Sequence, residues 1–260
     1  MLFKKSLAIG RVLLFWAATM VALALGSAVG GNPDYAPLVV GSLTVPVTIA
    51  LTLLFIRWED RKPREFGLEL TRASWFRFAA GVLFGLLLIA VQTAIMAFAG
   101  RVHWTAASPS PATLLPILGY LLLATREELA FRGYPLRLLT VELRPWTAQI
   151  IVAAMFIVEH KLGGATWENA VLGSGLGSLV FGMAALVTRG LALPIGIHAA
   201  WNIGDWARGG KGSGGLWRMV VEPDASALAD KVAMGSYVAV MLCALASLWW
   251  VQHRARETVA

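Results

Sequence analysis

The chain has 260 residues, of which 58% are hydrophobic and only 14% charged. Its mean hydropathy is +0.69. Soluble domains carry about a quarter charged residues, so this composition excludes an ordinary soluble globular domain and predicts helices in a bilayer. The net charge of +7 matches the Lys- and Arg-rich cytoplasmic loops of membrane proteins. No solvated basic segment with interleaved aromatics stands outside the apolar runs, which excludes nucleic-acid binding.

A membrane-spanning helix needs about 20 mostly apolar residues. Candidate runs follow in order: Leu7–Val29, Ala36–Ile56, Trp75–Ala99, Ala112–Leu139, Thr147–His160, Ala170–Thr188, Leu191–Trp206 and Val232–Val251. The expected fold is all-α, a polytopic helical membrane bundle of about eight transmembrane helices forming a single integral membrane domain over 1–260. The first run follows Lys4 and Lys5 and precedes Gly26, Ser27 and Ala28, as in a signal peptide. Its apolar stretch exceeds the roughly 7–15 residues of such a peptide, so a retained span is expected. The fourth run is broken by charge, and the fifth and seventh are short.

Orientation is read from the loops. Arg57, Arg61, Lys62, Arg64 and Arg72 crowd the second connection; Arg126, Arg132, Arg137 and Arg144 follow the opening of the fourth run; Arg254 and Arg256 close the chain. Eight spans with both termini cytoplasmic put all of these on one side of the cell membrane. The stretch Ala207–Lys231 falls on the other side although it holds Arg208, Lys211 and Arg218; being rich in glycine, it is expected to be a flexible external loop. Trp58, Trp75, Trp104, Trp146 and Trp249 sit near span ends, as an interfacial belt requires. The pairs Gly81/Gly85 and Gly173/Gly177 each mark one helix face where helices approach closely. The single cysteine, Cys243, lies in an apolar run and is given no role.

Ionisable groups inside spans cost several kcal/mol and mark function by default. Three places interrupt the apolar runs. In Thr125-Arg126-Glu127-Glu128-Leu129-Ala130-Phe131-Arg132-Gly133, Glu128 and Arg132 stand four apart and can pair. A helix turns about 100° per residue, so Glu127 points elsewhere. One carboxylate is tied and its neighbour is left free to act as a general base on water. The alternative is a helix end whose charges are solvated. The second place is Phe156-Ile157-Val158-Glu159-His160, with Glu159 an interfacial residue or a neighbour of the site. The third is His198-Ala199-Ala200-Trp201-Asn202, whose two polar residues share a face. They suit an oxyanion site, a metal ligand, or a polar pair joining two helices. His103 and His253 fall in loop and tail positions.

Glu-Glu-x-x-x-Arg, then Phe-x-x-x-His, then His-x-x-x-Asn, on successive hydrophobic helices, resembles the CPBP family. These are the CAAX-protease and bacteriocin-processing enzymes, also called the Abi family, related to the Rce1-type prenyl endoproteases. The likeness covers a catalytic core of about residues 114–206. It implies an intramembrane endopeptidase with a membrane-embedded cavity, cleaving a membrane-associated protein or peptide substrate. By the family's scheme Glu127 and His160 activate water, His198 and Asn202 stabilise the oxyanion, and Glu128 and Arg132 support Glu127. The cofactor is either none or a single divalent metal such as zinc, which Glu127, His160 and His198 would ligate. A non-catalytic binding or bacteriocin-immunity protein on the same fold is the alternative; a small transporter is a third reading, without the inverted repeat such folds show.

Overall fold

The structure is a computed structural model that describes residues 2–31, 35–108, 115–211 and 214–257. The expected opening of the fourth span at residues 112–114, and the side chains of Lys4 and Arg256, lie outside the described residues. The elements in chain order are α1 (Leu2–Val29), α2 (Ala36–Trp58), a 3₁₀ turn (Pro63–Phe66), α3 (Arg72–Ala99), β1 (Val102–Ala106), α4 (Leu115–Glu128), a π turn (Leu129–Gly133), α5 (Tyr134–Glu142), α6 (Pro145–Leu162), a second π turn (Asn169–Gly175), α7 (Leu176–Thr188), α8 (Ala192–Ala207), β2 (Trp217–Val221) and α9 (Ser226–Glu257).

Over the described residues each of the eight apolar runs is helical, apart from Leu191 just ahead of α8. Five helical stretches are long and apolar enough to cross a membrane: Lys5–Val29, Ala36–Trp58, Arg72–Ala99, Asn169–Thr188 and Ser226–Arg254. The chain is a multi-pass membrane protein. Large aliphatic side chains such as Leu14, Leu25, Leu54 and Leu87 point outward from these helices, which in a bilayer is contact with lipid rather than exposure to water. Cys243 likewise lies on the outward side of α9. The remaining motif-bearing helices α4, α6 and α8 are shorter.

The fourth run is continuous but not uniform. Pro135 has no N–H, and in an α-helix its ring would press on the carbonyl four residues back. The chain answers with the π turn Leu129–Gly133, ending at Gly133 with ψ −94. Such wide turns often sit at functional sites, and this one starts immediately after Glu127 and Glu128.

Polar groups on the spans satisfy themselves within the helix. Thr44, Thr48 and Thr52 form one buried row on α2, each hydroxyl donating to the carbonyl four residues earlier at 2.6–2.8 Å. This is the economical way to hide a hydroxyl where no water can reach it.

One face of the bundle is set by the closest helix pair. Gly81 and Gly85 of α3 lie against the backbone of α8: a Cβ on Gly85 would stand 2.6 Å from the Ile197 carbonyl, and one on Gly81 would strike the Leu193 carbonyl. Close packing is therefore the role of this pair. Gly173 and Gly177 differ: Gly173 has open space around it, its carbonyl accepting from Tyr237 Oη at 2.5 Å, while Gly177 faces that same hydroxyl.

The two termini lie at the same end of the molecule. Arg11 near the start of α1 pairs with Glu59 at the end of α2 at 2.7 Å, and Tyr134 donates to the same carboxylate at 2.7 Å. At that end Arg137 donates to the Ala185 carbonyl, and Gly67 meets the Arg189–Gly190 turn. The end of α9 meets the start of α6 there as well.

The stretch Ala207–Lys231 is not a bare flexible loop. Its residues 217–221 pair antiparallel with β1, Val102 opposite Val221 and Ala106 opposite Trp217. Arg101 pairs with Glu222 at 2.7 Å, and Trp104 Nε1 donates to the Arg208 carbonyl. Two of the three basic residues that strained the orientation argument are held inside it: Arg208 pairs with Asp205 at 2.9 Å and donates to Gln92 Oε1 at 2.7 Å, and Lys211 donates to Asn202 at 2.9 Å, while Arg218 is exposed. This small sheet is the exception to an otherwise all-α fold.

Candidate active site

The three polar motifs meet between α4, α6, α7 and α8. Glu128 is fully buried and takes two partners through one oxygen: Arg132 Nη1 at 3.3 Å and His198 Nδ1 at 2.8 Å. Arg132, also fully buried, spends its other nitrogen on Ser178, reaching the carbonyl at 3.0 Å and the hydroxyl at 2.8 Å. Its guanidinium lies among the rings of Phe156, Phe181 and Phe131, at 4.8, 5.5 and 5.7 Å from their centroids. Ring faces carry negative potential, so this is a favourable lining for a desolvated cation.

His198 is fixed from three directions. Nδ1 donates to Glu128, Phe181 stacks on the ring at 4.3 Å and 12°, and Nε2 faces Glu127 Oε2 at 3.6 Å. That last separation is longer than a direct hydrogen bond. Glu127 Oε2 has no hydrogen-bond partner although it is buried. His160 donates Nδ1–H to the Phe156 carbonyl at 3.0 Å, which leaves Nε2 as its free nitrogen. His160, Arg126 and Arg132 all lie within electrostatic reach of Glu127.

A third acid belongs to the cluster. Glu159 is 5% exposed and pairs with Arg126, which is 1% exposed and also donates to the Thr19 carbonyl of α1 at 3.2 Å. Glu159 is thus a buried partner of Arg126 and not an interfacial residue. Arg126 and Arg132 are likewise buried and are not loop charges that set orientation. Two of the three carboxylates each hold a guanidinium, and Glu127 is the one with no guanidinium bonded to it. An isolated buried charge is costly, and of the three carboxylates Glu127 is the one least compensated by direct partners.

Asn202 stands one helical turn beyond His198. Its Oδ1 accepts from Lys211 Nζ at 2.9 Å, which leaves the amide N–H₂ as the free end. Lys211 comes from the stretch between α8 and β2, and its ammonium lies 5.3 Å from the Tyr120 ring centre. Burial holds the Lys211 ammonium below the usual lysine range, partly offset by Asp205 and Glu127.

Residues 109–204 match the family described as Type II CAAX prenyl endopeptidase Rce1-like. The chain carries an Rce1-like domain. No curated protein gives a significant match. A domain of this family implies a peptidase. The Rce1-like segment contains Glu127, Glu128, Arg132, His160, His198 and Asn202, while Lys211 lies beyond it.

Of the residues singled out from sequence, Glu127, Glu128, Arg132 and His198 converge on one another, His160 stands within electrostatic reach, and Asn202 joins through Lys211. Zinc would suit the donor types, since each histidine has Nδ1 engaged and Nε2 free, the usual preparation for a metal ligand. The spacing does not suit it. Among the described residues no three His, Cys, Asp or Glu stand close enough to share a metal ion. Glu127, His160 and His198 as placed are not a metal cage.

Sequence reasoning missed the roles of Arg126, Glu159, Ser178, Phe181 and Lys211. Arg126 and Glu159 carried a usable signal, two ionisable residues adjoining the motif residues on apolar helices. Ser178 and Phe181 carried none, because neither contrasts with an apolar helix.

Proposed function

We propose that the protein is an intramembrane endopeptidase of the CAAX-protease type, acting on a membrane-associated protein or peptide. The observation that carries this reading is the unpaired carboxylate of Glu127. It is aimed at His198 and lies among acids and bases whose other members are each tied to a partner.

Each histidine has a different supporting group, and this divides their roles. His160 gives Nδ1–H to a neutral carbonyl, so Nε2 serves as an acceptor that holds water beside Glu127. His198 gives Nδ1–H to the Glu128 carboxylate. To donate from Nε2 as well the ring must carry both hydrogens, and Glu128 holds it in place through Nδ1 for that role. Glu127 takes a proton from water as the water oxygen attacks the peptide carbonyl carbon. The electron pair of the C=O bond moves onto oxygen, where His198 Nε2–H and the Asn202 amide N–H₂ donate to it. Collapse of this intermediate breaks the C–N bond, and the proton on Glu127 passes to the departing amine. Donors placed where charge develops are the larger part of such catalysis, at about 100–1000-fold for one donor.

We also place both termini in the cytoplasm. They share an end with Arg57, Arg61, Arg137 and Arg144.

The test is a comparison of peptide termini in membrane fractions holding the wild-type protein or Glu127→Ala at equal abundance. Termini present only with the intact carboxylate support the peptidase and name its substrate. Identical termini from two folded proteins reject it in favour of a binding or immunity role.

A further inference from the structure

Asn202 carries one half of the proposed oxyanion site, and a side-chain amide has two unlike ends. Its oxygen accepts and its nitrogen donates. A half-turn about the last bond exchanges the two ends with almost no change of shape. An asparagine used as a donor therefore needs a neighbour that tells its ends apart.

Lys211 is such a neighbour. An ammonium donates and cannot accept, and Lys211 Nζ stands 2.9 Å from Asn202 Oδ1. The oxygen is held on the lysine side, and the N–H₂ is turned away from it. A hydroxyl or a second amide in that place would accept as well as donate, and would leave the choice open.

The chain turns sharply to bring this ammonium back. Lys211 comes nine residues after Asn202, and a continued helix would carry it about 13 Å further on. Instead α8 ends at Ala207, Gly209 takes φ +79, and the Gly210 N–H donates to the Asp205 carbonyl at 2.8 Å. Neither glycine has room for a side chain: a Cβ on Gly209 would stand 2.7 Å from the Trp217 carbonyl, and one on Gly210 would strike the Asp205 carboxylate. Arg208 ties the turn to Gln92 of α3, and its carbonyl accepts from Trp104 of β1. The small sheet thus braces the turn that delivers Lys211.

The surroundings leave the charge free to act on the amide. Tyr120 of α4 lies 5.3 Å from the ammonium. Tyr120 and Glu127 stand seven apart on α4 and share a face, and Glu127 lies within electrostatic reach of Lys211. Asp205 of α8 is already bonded twice by Arg208. Among the described residues the one hydrogen bond of the ammonium goes to the neutral amide of Asn202. A desolvated ammonium with no carboxylate bonded to it is costly. Its field polarises the amide and makes the N–H₂ a stronger donor. It also opposes the negative charge that develops on the reacting carbonyl oxygen.

We infer that Lys211 is a positioning residue of the peptidase: it holds the Asn202 amide with its N–H₂ toward the reacting carbonyl and strengthens it as an oxyanion donor. The inference rests on the function proposed above. Lys211 lies beyond residues 109–204, so the family match does not supply it.

The test uses the purified full-length protein in lipid nanodiscs and a synthetic peptide spanning a terminus that depends on Glu127. kcat and KM are measured for the wild type, Glu127→Gln, Lys211→Met, Asn202→Ala and the Lys211→Met/Asn202→Ala double variant. Lys211→Met should lower kcat about 10–100-fold, below the roughly 100–1000-fold of a whole donor, with KM changed by less than about twofold. In the Asn202→Ala background the same substitution should change kcat by less than about twofold, because the group through which Lys211 acts is gone. Wild-type kcat in Lys211→Met, a loss confined to KM, or an equal loss with and without Asn202 overturns the inference and leaves the peptidase standing. Absence of any Glu127-dependent cleavage overturns the peptidase and this inference with it. Should Lys211→Met unfold at a lower temperature than the wild type, Lys211→Gln, which keeps the reach but accepts as well as donates, is read against the same outcomes.

Discussion

Helices α1, α3 and α9 and helices α4, α6 and α8 meet opposite demands. The first group is long and faces outward, with 28% of the best span of α3 and of α9 buried. Its side chains need only be apolar, because lipid accepts any aliphatic shape. The second group is short and holds ionisable residues that would be ruinous on the outside. Its cost is met by pairing Arg126 with Glu159 and Arg132 with Glu128, which leaves Glu127 without a guanidinium. The contrast shows where sequence is constrained in this molecule. The outer helices tolerate exchange of one apolar residue for another, and the inner ones tolerate almost no change of charge or shape.

The largest expected effect separates chemistry from folding. Glu127→Gln should lower proteolysis by about 100–10,000-fold, the range of a lost general base, while the unfolding temperature in detergent holds or rises. Glu127 Oε2 makes no hydrogen bond that the variant would lose. A parallel loss of stability would show that Glu127 belongs to the scaffold.

Next in size is the paired interior. Arg126→Leu alone should destabilise by about 3–5 kcal/mol, because it strands Glu159 in a dry site, and Arg126→Leu with Glu159→Leu should regain most of that. A double-mutant cycle on chemical denaturation reads the coupling directly. Additive losses would mean that the two residues are stable apart.

A smaller effect is expected where inner and outer helices touch. Gly85→Ala puts a methyl group 2.6 Å from the Ile197 carbonyl. Overpacking of this kind costs about 1–3 kcal/mol, and it should lower kcat as well by displacing His198. Smallest of all, Leu54→Ala on the outward side of α2 should change stability by about 0.5 kcal/mol or less. A loss of several kcal/mol there would reveal a protein partner on that face.

The fold was legible because a bilayer imposes a length and a composition that show directly in a run such as Trp75–Ala99. The β1–β2 pairing was not. Its strands come from two loops far apart in the chain, and neither Val102–Ala106 nor Trp217–Val221 shows a pattern that names the other. In the site, Glu127, Glu128, His198 and Asn202 stood out because polar groups on apolar helices are costly and their motifs occur together, each bland reading covering only one of them. The Arg126–Glu159 pair was obscured by proximity to helix ends, where charges are usually solvated. That Lys211 reaches back to Asn202 depends on a loop conformation that no local spacing encodes.

The direct backbone contact of α3 with α8 has a mechanical meaning. Two helices touching at Gly81, Gly85 and Gly196 cannot slide or hinge apart without opening a gap along their whole seam. His198 and Asn202 therefore stand on the anvil of the site. The hammer is the opposite wall, where α6 carries His160 and packs on α5 and α7. Under the proposed peptidase function, a peptide entering the bundle would be accommodated on the α6 side while His198 and Asn202 are held by the α3–α8 seam.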